Sequence, residues 1–234
     1  MTTTKPRVIA LMASTLDGRI DIDRWSTAKG IEGDDFADLF EEVHGQLGGD
    51  AWIVGRTTME EFSDGDDGEL PQATAKIDRQ TFKAKTSAER YGVAIDAKGK
   101  LRWKGNTANG DHVIEVLTEG VSDAFLAHLQ KDGVSYIFAG TDEIDLPVAL
   151  GKLSDEFGIA TLLLEGGGRI NGSFVAAGLV DEYNLLLAPI IDGFADSRSS
   201  FAHDEEDKPV LPMRLVSTSE QKHGVLLMKY ETVR

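Results

Sequence analysis

Short apolar runs alternate along the chain with segments whose apolar residues recur at helical spacing. An apolar run of about four to eight residues predicts a buried strand, whereas apolar residues at i, i+3, i+4 and i+7 predict an amphipathic helix. The runs predict strands at residues 8–13, 51–55, 91–95, 112–117, 134–140, 160–165 and 182–188.

Helical patterns follow most of the predicted strands. They indicate helices at residues 36–47, 56–62 and 146–157, one that begins at Ser122, and one from Arg169 to about Gly178. Two final strands, at 213–219 and 225–232, have no helix between them and predict an antiparallel hairpin. The alternation predicts an α/β fold with a mostly parallel sheet and flanking helices.

The domain organisation follows from the same pattern. No linker, repeat or low-complexity segment interrupts the alternation, so residues 1–234 are predicted to form a single domain. The segment Lys100–Lys104, which contains Trp103, is predicted to be a surface hairpin.

Composition and charge exclude several classes of protein. Acidic residues outnumber basic residues by 40 to 24, and a net charge of −16 disfavours binding to nucleic acid or anionic lipid. The chain has no cysteine, which excludes disulfides, thiolate zinc sites and a cysteine nucleophile.

The five histidines show no metal-ligand spacing and are interpreted as structural or exposed, so no metal site is predicted. No apolar run predicts a signal peptide or a membrane span, and a cytoplasmic protein is expected.

A glycine-rich turn is the first candidate for ligand binding. Glu165, Gly166, Gly167, Gly168 and Arg169 lead from the end of a predicted strand into a helix. Glycines let backbone N–H groups approach a phosphate closely, and a helix N-terminus adds a partial positive charge. The turn therefore predicts a site for a dinucleotide's pyrophosphate. The alternative is a tight turn that merely requires positive φ angles.

Gly55, Arg56, Thr57 and Thr58 form a second strand-to-helix turn. Backbone amides and a hydroxyl group there can hold phosphate, and a guanidinium group can bind a 2′-phosphate through two hydrogen bonds. The alternative is an ordinary helix start with a solvated arginine.

A third polar turn follows the first strand. Ser14, Thr15, Asp17 and Gly18 would face a cleft beyond the carboxyl ends of the strands, where ligands bind in open α/β sheets. Asp17 could hydrogen-bond the amide-like edge of a heterocycle, although Asp-Gly is also a common turn pair. Trp25 could cover the cleft or pack in the core.

These motifs, in this order, resemble the reductase domain of riboflavin-biosynthesis proteins, the RibD C-terminal domain family of the dihydrofolate reductase-like superfamily. The matching segments are Thr15-Leu16-Asp17-Gly18, Gly55-Arg56-Thr57-Thr58-Met59-Glu60, Leu162 to Gly168, Ala177 to Glu182, Ala188-Pro189 and Gly193. The resemblance covers nearly the whole chain.

The resemblance implies a homodimeric enzyme that uses NADPH to reduce the ribose carbon of a phosphoribosylamino-pyrimidine in its open imine form. It places Thr15, Asp17, Gly18 and Glu165 near the substrate and the nicotinamide. Ser14 and Trp25 are further candidates for the substrate site, and Asp17 and Glu165 are the candidate proton donors, with water as an alternative. The residues that the resemblance implies for the cofactor are Gly55, Arg56, Thr57, Thr58, Gly140, Gly166, Gly167, Gly168, Arg169 and Ile170.

Two departures from the family pattern leave alternatives open. The chain has no deaminase domain, and Glu60-Glu61-Phe62-Ser63 stands where the family usually has Asp-Asp-Pro. The contacts to the substrate's phosphate are therefore expected to differ. The other two interpretations are a reductase of another small heterocycle, such as a pterin, and a nucleotide-binding protein without turnover.

Overall fold

The structure is a computed structural model that describes residues 5–25, 33–63, 65, 70, 75–84, 88–203 and 210–234, without the side chains of residues 33–35. The chain divides into two compact units. The first unit contains Met1–Pro6 and Asp50–Leu162, and the second contains Arg7–Gly49 and Leu163–Arg234. The prediction of a single domain remains a prediction.

Strands and helices alternate as the apolar pattern predicts. The elements are β1 (Arg7–Ser14), α1 (Ile22–Trp25), α2 (Gly33–Leu47), β2 (Ala51–Gly55), α3 (Arg56–Met59), β3 (Tyr91–Ile95), β4 (Thr107–Ala108), β5 (Asp111–Leu117), α4 (Asp123–Asp132), β6 (Ser135–Phe138), α5 (Leu146–Phe157), β7 (Thr161–Leu164), α6 (Gly168–Ala176), β8 (Glu182–Leu187), β9 (Met213–Glu220) and β10 (Leu226–Thr232).

The first unit is built on a largely parallel set of strands. β2 pairs with β3, β3 with β5, and β5 with β6 in parallel, while the short β4 pairs with β5 in antiparallel orientation. The central strand β5 is buried along its whole length. Helix α4 begins where Ser122 Oγ accepts a hydrogen bond from Phe125 N and ends at Gly133, whose φ is 74°. The capping role predicted for Ser122 is confirmed.

The second unit combines a parallel pair with an antiparallel hairpin. β1 runs parallel to β8, and β10 pairs in antiparallel orientation with both β8 and β9. The predicted C-terminal hairpin is therefore confirmed. Helix α2 buries Phe36, Leu39 and Val43 in a core cluster that also contains Leu11 and Leu186. This cluster fixes α2 against the buried faces of β1 and β8.

The prediction of a surface hairpin at Lys100–Lys104 is wrong. Leu101 and Trp103 are buried, and the indole N–H of Trp103 donates to Glu115 Oε1 at 2.5 Å. The alternation of charged and apolar residues there reflects a segment that packs inward without forming a strand. The hairpin lies a few residues later, between β4 and β5. Among the described residues, no helix is both long and apolar enough to cross a membrane.

Glu115 is a fully buried carboxyl group in the middle of β5. Its Oε1 accepts from Trp103, whereas its Oε2 has no hydrogen-bond partner among the described residues. Burial raises the pKa of Glu115 well above its ordinary value, and the negative charge of Asp96 adds to this shift. Burial therefore favours the protonated, neutral form of Glu115 in the folded protein.

We expect the Glu115→Gln variant to be more stable than the wild-type protein at pH 7 to 8. Below about pH 4 the carboxyl group is protonated in both the folded and the unfolded chain. As the pH rises, only the unfolded chain ionises, so the wild-type protein loses stability that the neutral glutamine retains. The difference in Tm, measured by circular dichroism, should amount to several degrees at pH 7.5 and shrink towards pH 4. A Tm difference that stays constant across this pH range would contradict the raised pKa of Glu115. Glu119→Gln is the matched control, because Glu119 is exposed.

Candidate functional site

The glycine-rich turn joins β7 to α6 in the second unit. Gly167 is the N-cap residue of α6, with φ −51° and ψ 170°. None of the three glycines Gly166, Gly167 and Gly168 has a positive φ angle. The interpretation that these glycines serve a left-handed turn is therefore wrong. Gly167 has no side chain that could accept from the first N–H groups of the helix, and a helix N-terminus favours an anion.

Close packing against another part of the backbone explains why the third residue of the turn, Gly168, is glycine. A Cβ atom on Gly168 would lie 2.2 Å from the carbonyl oxygen of Ser199, and one on Gly172 would lie 1.9 Å from that of Ala202. Ala202 N donates to Gly168 O at 2.9 Å, and Asn171 Nδ2 donates to Ser200 O at 2.9 Å. The segment 190–202, which we call the covering loop, thus packs directly on the first turns of α6.

The polar turn after β1 is held by its own side chains. Thr15 Oγ1 donates to Asp17 Oδ1 at 2.6 Å and accepts from Arg19 N at 2.9 Å. Gly18 has a φ of 77°, so the Asp-Gly pair does form the tight turn expected of it. Ser14 and Thr15 are both buried.

The carboxylate of Asp17 also binds the covering loop. It accepts from Asp192 N at 3.1 Å and from Gly193 N at 2.9 Å. The hydrogen bonds from Thr15 and Gly193, with smaller ones from other backbone N–H groups, lower the pKa of Asp17 to about 2. Asp17 is therefore ionised at neutral pH, and its charge stabilises the backbone of the covering loop.

Further ion pairs fasten the covering loop to residues 19–24. Arg24 donates through Nε and Nη2 to Asp192 at 2.8 to 3.1 Å, and its guanidinium lies 4.3 Å from the centre of the Phe194 ring. Arg198 Nε donates to Asp21 at 2.5 Å. The turn after β1, the covering loop and the start of α6 therefore form one connected structure within the second unit.

Glu165, directly after β7, contacts a residue that sequence reasoning did not single out. His44 Nδ1 lies 2.8 Å from Glu165 Oε1, and the two side chains are only 12% and 9% exposed. His44 occupies the last turn of α2, next to Val43 in the core. The sequence analysis placed His44 among the structural or exposed histidines. Its position on the flank of an apolar helical stripe was the available signal, but the partner lies 121 residues away.

Trp25 packs in the core of the second unit. Its ring meets that of Phe36 edge-on with a centroid distance of 5.2 Å, and the residue is 3% exposed. Its indole Nε1 is buried without a hydrogen-bond partner among the described residues. The structure thus assigns Trp25 a packing role, and contact with a substrate stays a prediction.

Arg169 and Ile170 lie in α6 of the second unit, and the other predicted residues, from Gly55 to Thr58 and Gly140, lie in the first unit. β2 ends at Gly55, and α3 covers only Arg56–Met59, which is shorter than predicted because Glu60 already ends it. Arg56 forms an ion pair with Glu60. Gly140 has a φ of 104°, and a Cβ atom there would lie 2.0 Å from Glu143 O, so the local turn requires glycine.

The architecture and its turns define the class of protein. In the described part of the chain, no group of three or more His, Asp or Glu side chains could hold a metal ion. The α/β architecture and the two strand-to-helix turns are those of a dihydrofolate reductase-like protein. The model of the RibD C-terminal domain matches residues 6–227, and the chain belongs to this family. The predicted family and fold class are confirmed.

Two curated relatives are similar over most of this chain. The 2,5-diamino-6-ribosylamino-4(3H)-pyrimidinone 5′-phosphate reductase of Methanothermobacter thermautotrophicus is 30% identical over 200 residues, which cover 83% of both proteins. The riboflavin biosynthesis protein RibD of Bacillus amyloliquefaciens is 26% identical over 198 residues, which cover 82% of this chain and 48% of that protein.

Solved structures show the same fold. Acinetobacter baumannii RibD superposes with a TM-score of 0.65 at 25% identity, with all of this chain and 59% of that chain covered. A pyrimidine reductase-like protein from Corynebacterium diphtheriae superposes with a TM-score of 0.67 at 19% identity, and the match covers 100% of this chain and 94% of that chain.

We expect the Gly172→Ala substitution to destabilise the protein by about 1–3 kcal/mol, because the added methyl group would overlap the carbonyl of Ala202. Gly45→Ala is the matched control. Gly45 also lies in a helix, but nothing lies within 4 Å of its Cβ position, so alanine should raise stability by up to about 1 kcal/mol. Urea unfolding measures both changes. Equal effects of the two substitutions would refute the close packing of the covering loop on α6.

Proposed function

We propose that the chain is an NADPH-dependent reductase of a phosphoribosylamino-pyrimidine in riboflavin biosynthesis. The observation that carries this proposal is the turn from β7 to α6. In a chain of the RibD C-terminal domain family, its glycines lead into a helix that has no side-chain cap, beside the partly buried carboxyl group of Glu165. The name of the Methanothermobacter relative supports the substrate class.

The residues of the turn fit a nucleotide phosphate. Gly166 and Gly167 bring bare backbone to the start of α6, and the N–H groups of Arg169 and Ile170 belong to its first turn. We assign the pyrophosphate to these residues. Gly168 supports them through its contact with the covering loop. A nicotinamide cofactor supplies the hydride when it is bound.

We assign the phosphates of the adenosine side to Arg56, with Thr57 and Thr58. Arg56 is partly exposed, and a 2′-phosphate would compete with Glu60 for its guanidinium group. Gly55 and Gly140 follow the apolar runs of β2 and β6 and are assigned to the cofactor on the basis of the family likeness alone.

The chemistry requires one proton for each hydride that adds to an imine carbon, because the nitrogen acquires a lone pair that must be protonated. Asp17 is a poor source of this proton, since its pKa of about 2 keeps it ionised at neutral pH. We therefore assign the proton to Glu165. Asp17 orders the turn that contains Ser14, Thr15 and Gly18, which we assign to the substrate.

The segment Glu60 to Ser63 is a reason to test other heterocycles as substrates as well. Glu60 stands within the segment that replaces the family's Asp-Asp-Pro, and it forms an ion pair with Arg56. The contacts to the substrate's phosphate must therefore come from elsewhere in this chain, or the substrate must differ.

The experiment that tests the function is a panel of substrates with NADPH, followed through the loss of absorbance of the reduced cofactor. We expect turnover with the phosphoribosylamino-pyrimidine and none with a pterin. Turnover with the pterin alone would replace the proposed substrate. Binding of NADPH in calorimetry without turnover on any substrate would indicate a nucleotide-binding protein instead.

Cofactor selectivity gives a second prediction. We expect Arg56→Ala to weaken NADPH binding roughly 10-fold to 100-fold, the equivalent of about 1.5–3 kcal/mol for a lost charged hydrogen bond, and to leave NADH binding nearly unchanged. Calorimetric titration with both cofactors measures this. Arg214→Ala, which removes an exposed arginine paired with Glu231, should change neither affinity. Equal weakening of both cofactors by Arg56→Ala would remove Arg56 from the 2′-phosphate role.

We also propose that the enzyme is a cytoplasmic homodimer that acts on a small molecule. The absence of cysteine in the sequence supports the location. The hairpin strand β9 supports the dimer. Leu215 and Val216 are consecutive residues of this strand and are 50% and 42% exposed, so apolar side chains project from both of its faces. A second copy of the chain would cover them.

A further inference from the structure

The contact between His44 and Glu165 joins two elements that are fixed independently. Helix α2 is anchored by Phe36, Leu39 and Val43 in the core, and Glu165 follows directly from the buried strand β7. The 2.8 Å distance between Nδ1 and Oε1 is a normal hydrogen bond. Both side chains lie almost entirely out of the solvent, so the contact is defined by packing rather than by flexible surface chains.

We propose that His44 is a positioning residue for Glu165 and that its Nδ1–H fixes one oxygen of the carboxyl group. This inference rests on the proposed function, in which Glu165 provides the proton. When Nδ1 donates to Oε1, a proton carried by the carboxyl group resides on Oε2. The side chain of His44 thereby selects which oxygen of Glu165 serves as the acid.

The identity of the partner matters because Glu182, a fully buried glutamate of the second unit, is held by a different set of groups. Glu182 accepts from Arg7 at 2.6 Å and from Asn184 at 2.8 Å, and it pairs with Lys229 at 2.9 Å. These partners include two permanent cations and lower the pKa of Glu182 despite its burial, so that its charge is retained. An imidazole can instead orient a carboxyl group through a single planar N–H without imposing a permanent charge.

The first arm of the test is kinetic and uses NADPH and the phosphoribosylamino-pyrimidine. We expect His44→Phe to lower kcat roughly tenfold, the equivalent in rate of one hydrogen bond to a carboxyl group, while the KM of the pyrimidine changes less than about threefold. His44→Asn should recover most of kcat, because its amide nitrogen takes the place of Nδ1. In a Glu165→Gln background, His44→Phe should have little further effect on kcat.

A histidine outside this contact is the matched control. His223 lies in the turn between β9 and β10 with a φ of 59°, an angle that asparagine tolerates, so His223→Asn should leave kcat unchanged. A kcat for His44→Phe equal to that of the wild-type enzyme would overturn the proposal. So would an equal loss in His44→Asn and His44→Phe, or fully additive losses from His44→Phe and Glu165→Gln.

The second arm is independent of turnover. Nitrogen-15 spectra of the imidazole groups should show that Glu165→Gln shifts the Nδ1 resonance of His44 and leaves that of His223 in place. An unshifted His44 resonance would show that the two side chains do not interact in solution and would overturn the proposal. If the wild-type enzyme reduces none of the substrates, the proposed function fails, whereas the spectra still decide whether His44 binds Glu165.

Discussion

The backbone of the second unit depends on the carboxylate of Asp17. It accepts hydrogen bonds from the N–H groups of Asp192 and Gly193, more than 170 residues later in the chain. Through them it holds the covering loop, which reaches α6 at Gly168 and Gly172. Hydrogen bonds to a charged carboxylate are stronger than those between neutral groups, so the charge at position 17 helps to hold this loop against the helix. The start of α6 is consequently supported by a turn that is remote from it in sequence.

Asp17 and Glu115 show how the surroundings of a carboxyl group decide its charge. Asp17 accepts several N–H and O–H hydrogen bonds, which lower its pKa to about 2. Glu115 is fully buried and, among the described residues, accepts a hydrogen bond only from Trp103, so its pKa is raised and its neutral form is favoured. Because Asp17 is ionised at neutral pH and holds the covering loop, we propose Glu165 rather than Asp17 as the proton donor in the second unit.

The sequence predicted much of the fold because each strand and helix carries its own local pattern. Seven strands were located by apolar runs and two more as the C-terminal hairpin, and Ser122 marked the start of α4. Trp103 was misplaced because alternation between charged and apolar residues is shared by hairpins and by irregular segments that pack inward. His44 was missed for a different reason: its partner is determined by tertiary packing, and nothing in residues 36–47 identifies Glu165. Local patterns predict elements, whereas contacts between distant residues require the folded chain.

The glycine-rich turn was ambiguous in the sequence because three different physical demands select the same residue. A positive φ angle, a close approach by another backbone, and access for a ligand each disfavour a Cβ atom. No glycine of the turn has a positive φ, which removes the first demand, and close packing accounts for Gly168 through the carbonyl of Ser199. Ligand access is the reason that we propose for glycine at positions 166 and 167. The phosphate assignment therefore depends on two residues rather than three, and on the N–H groups that follow them.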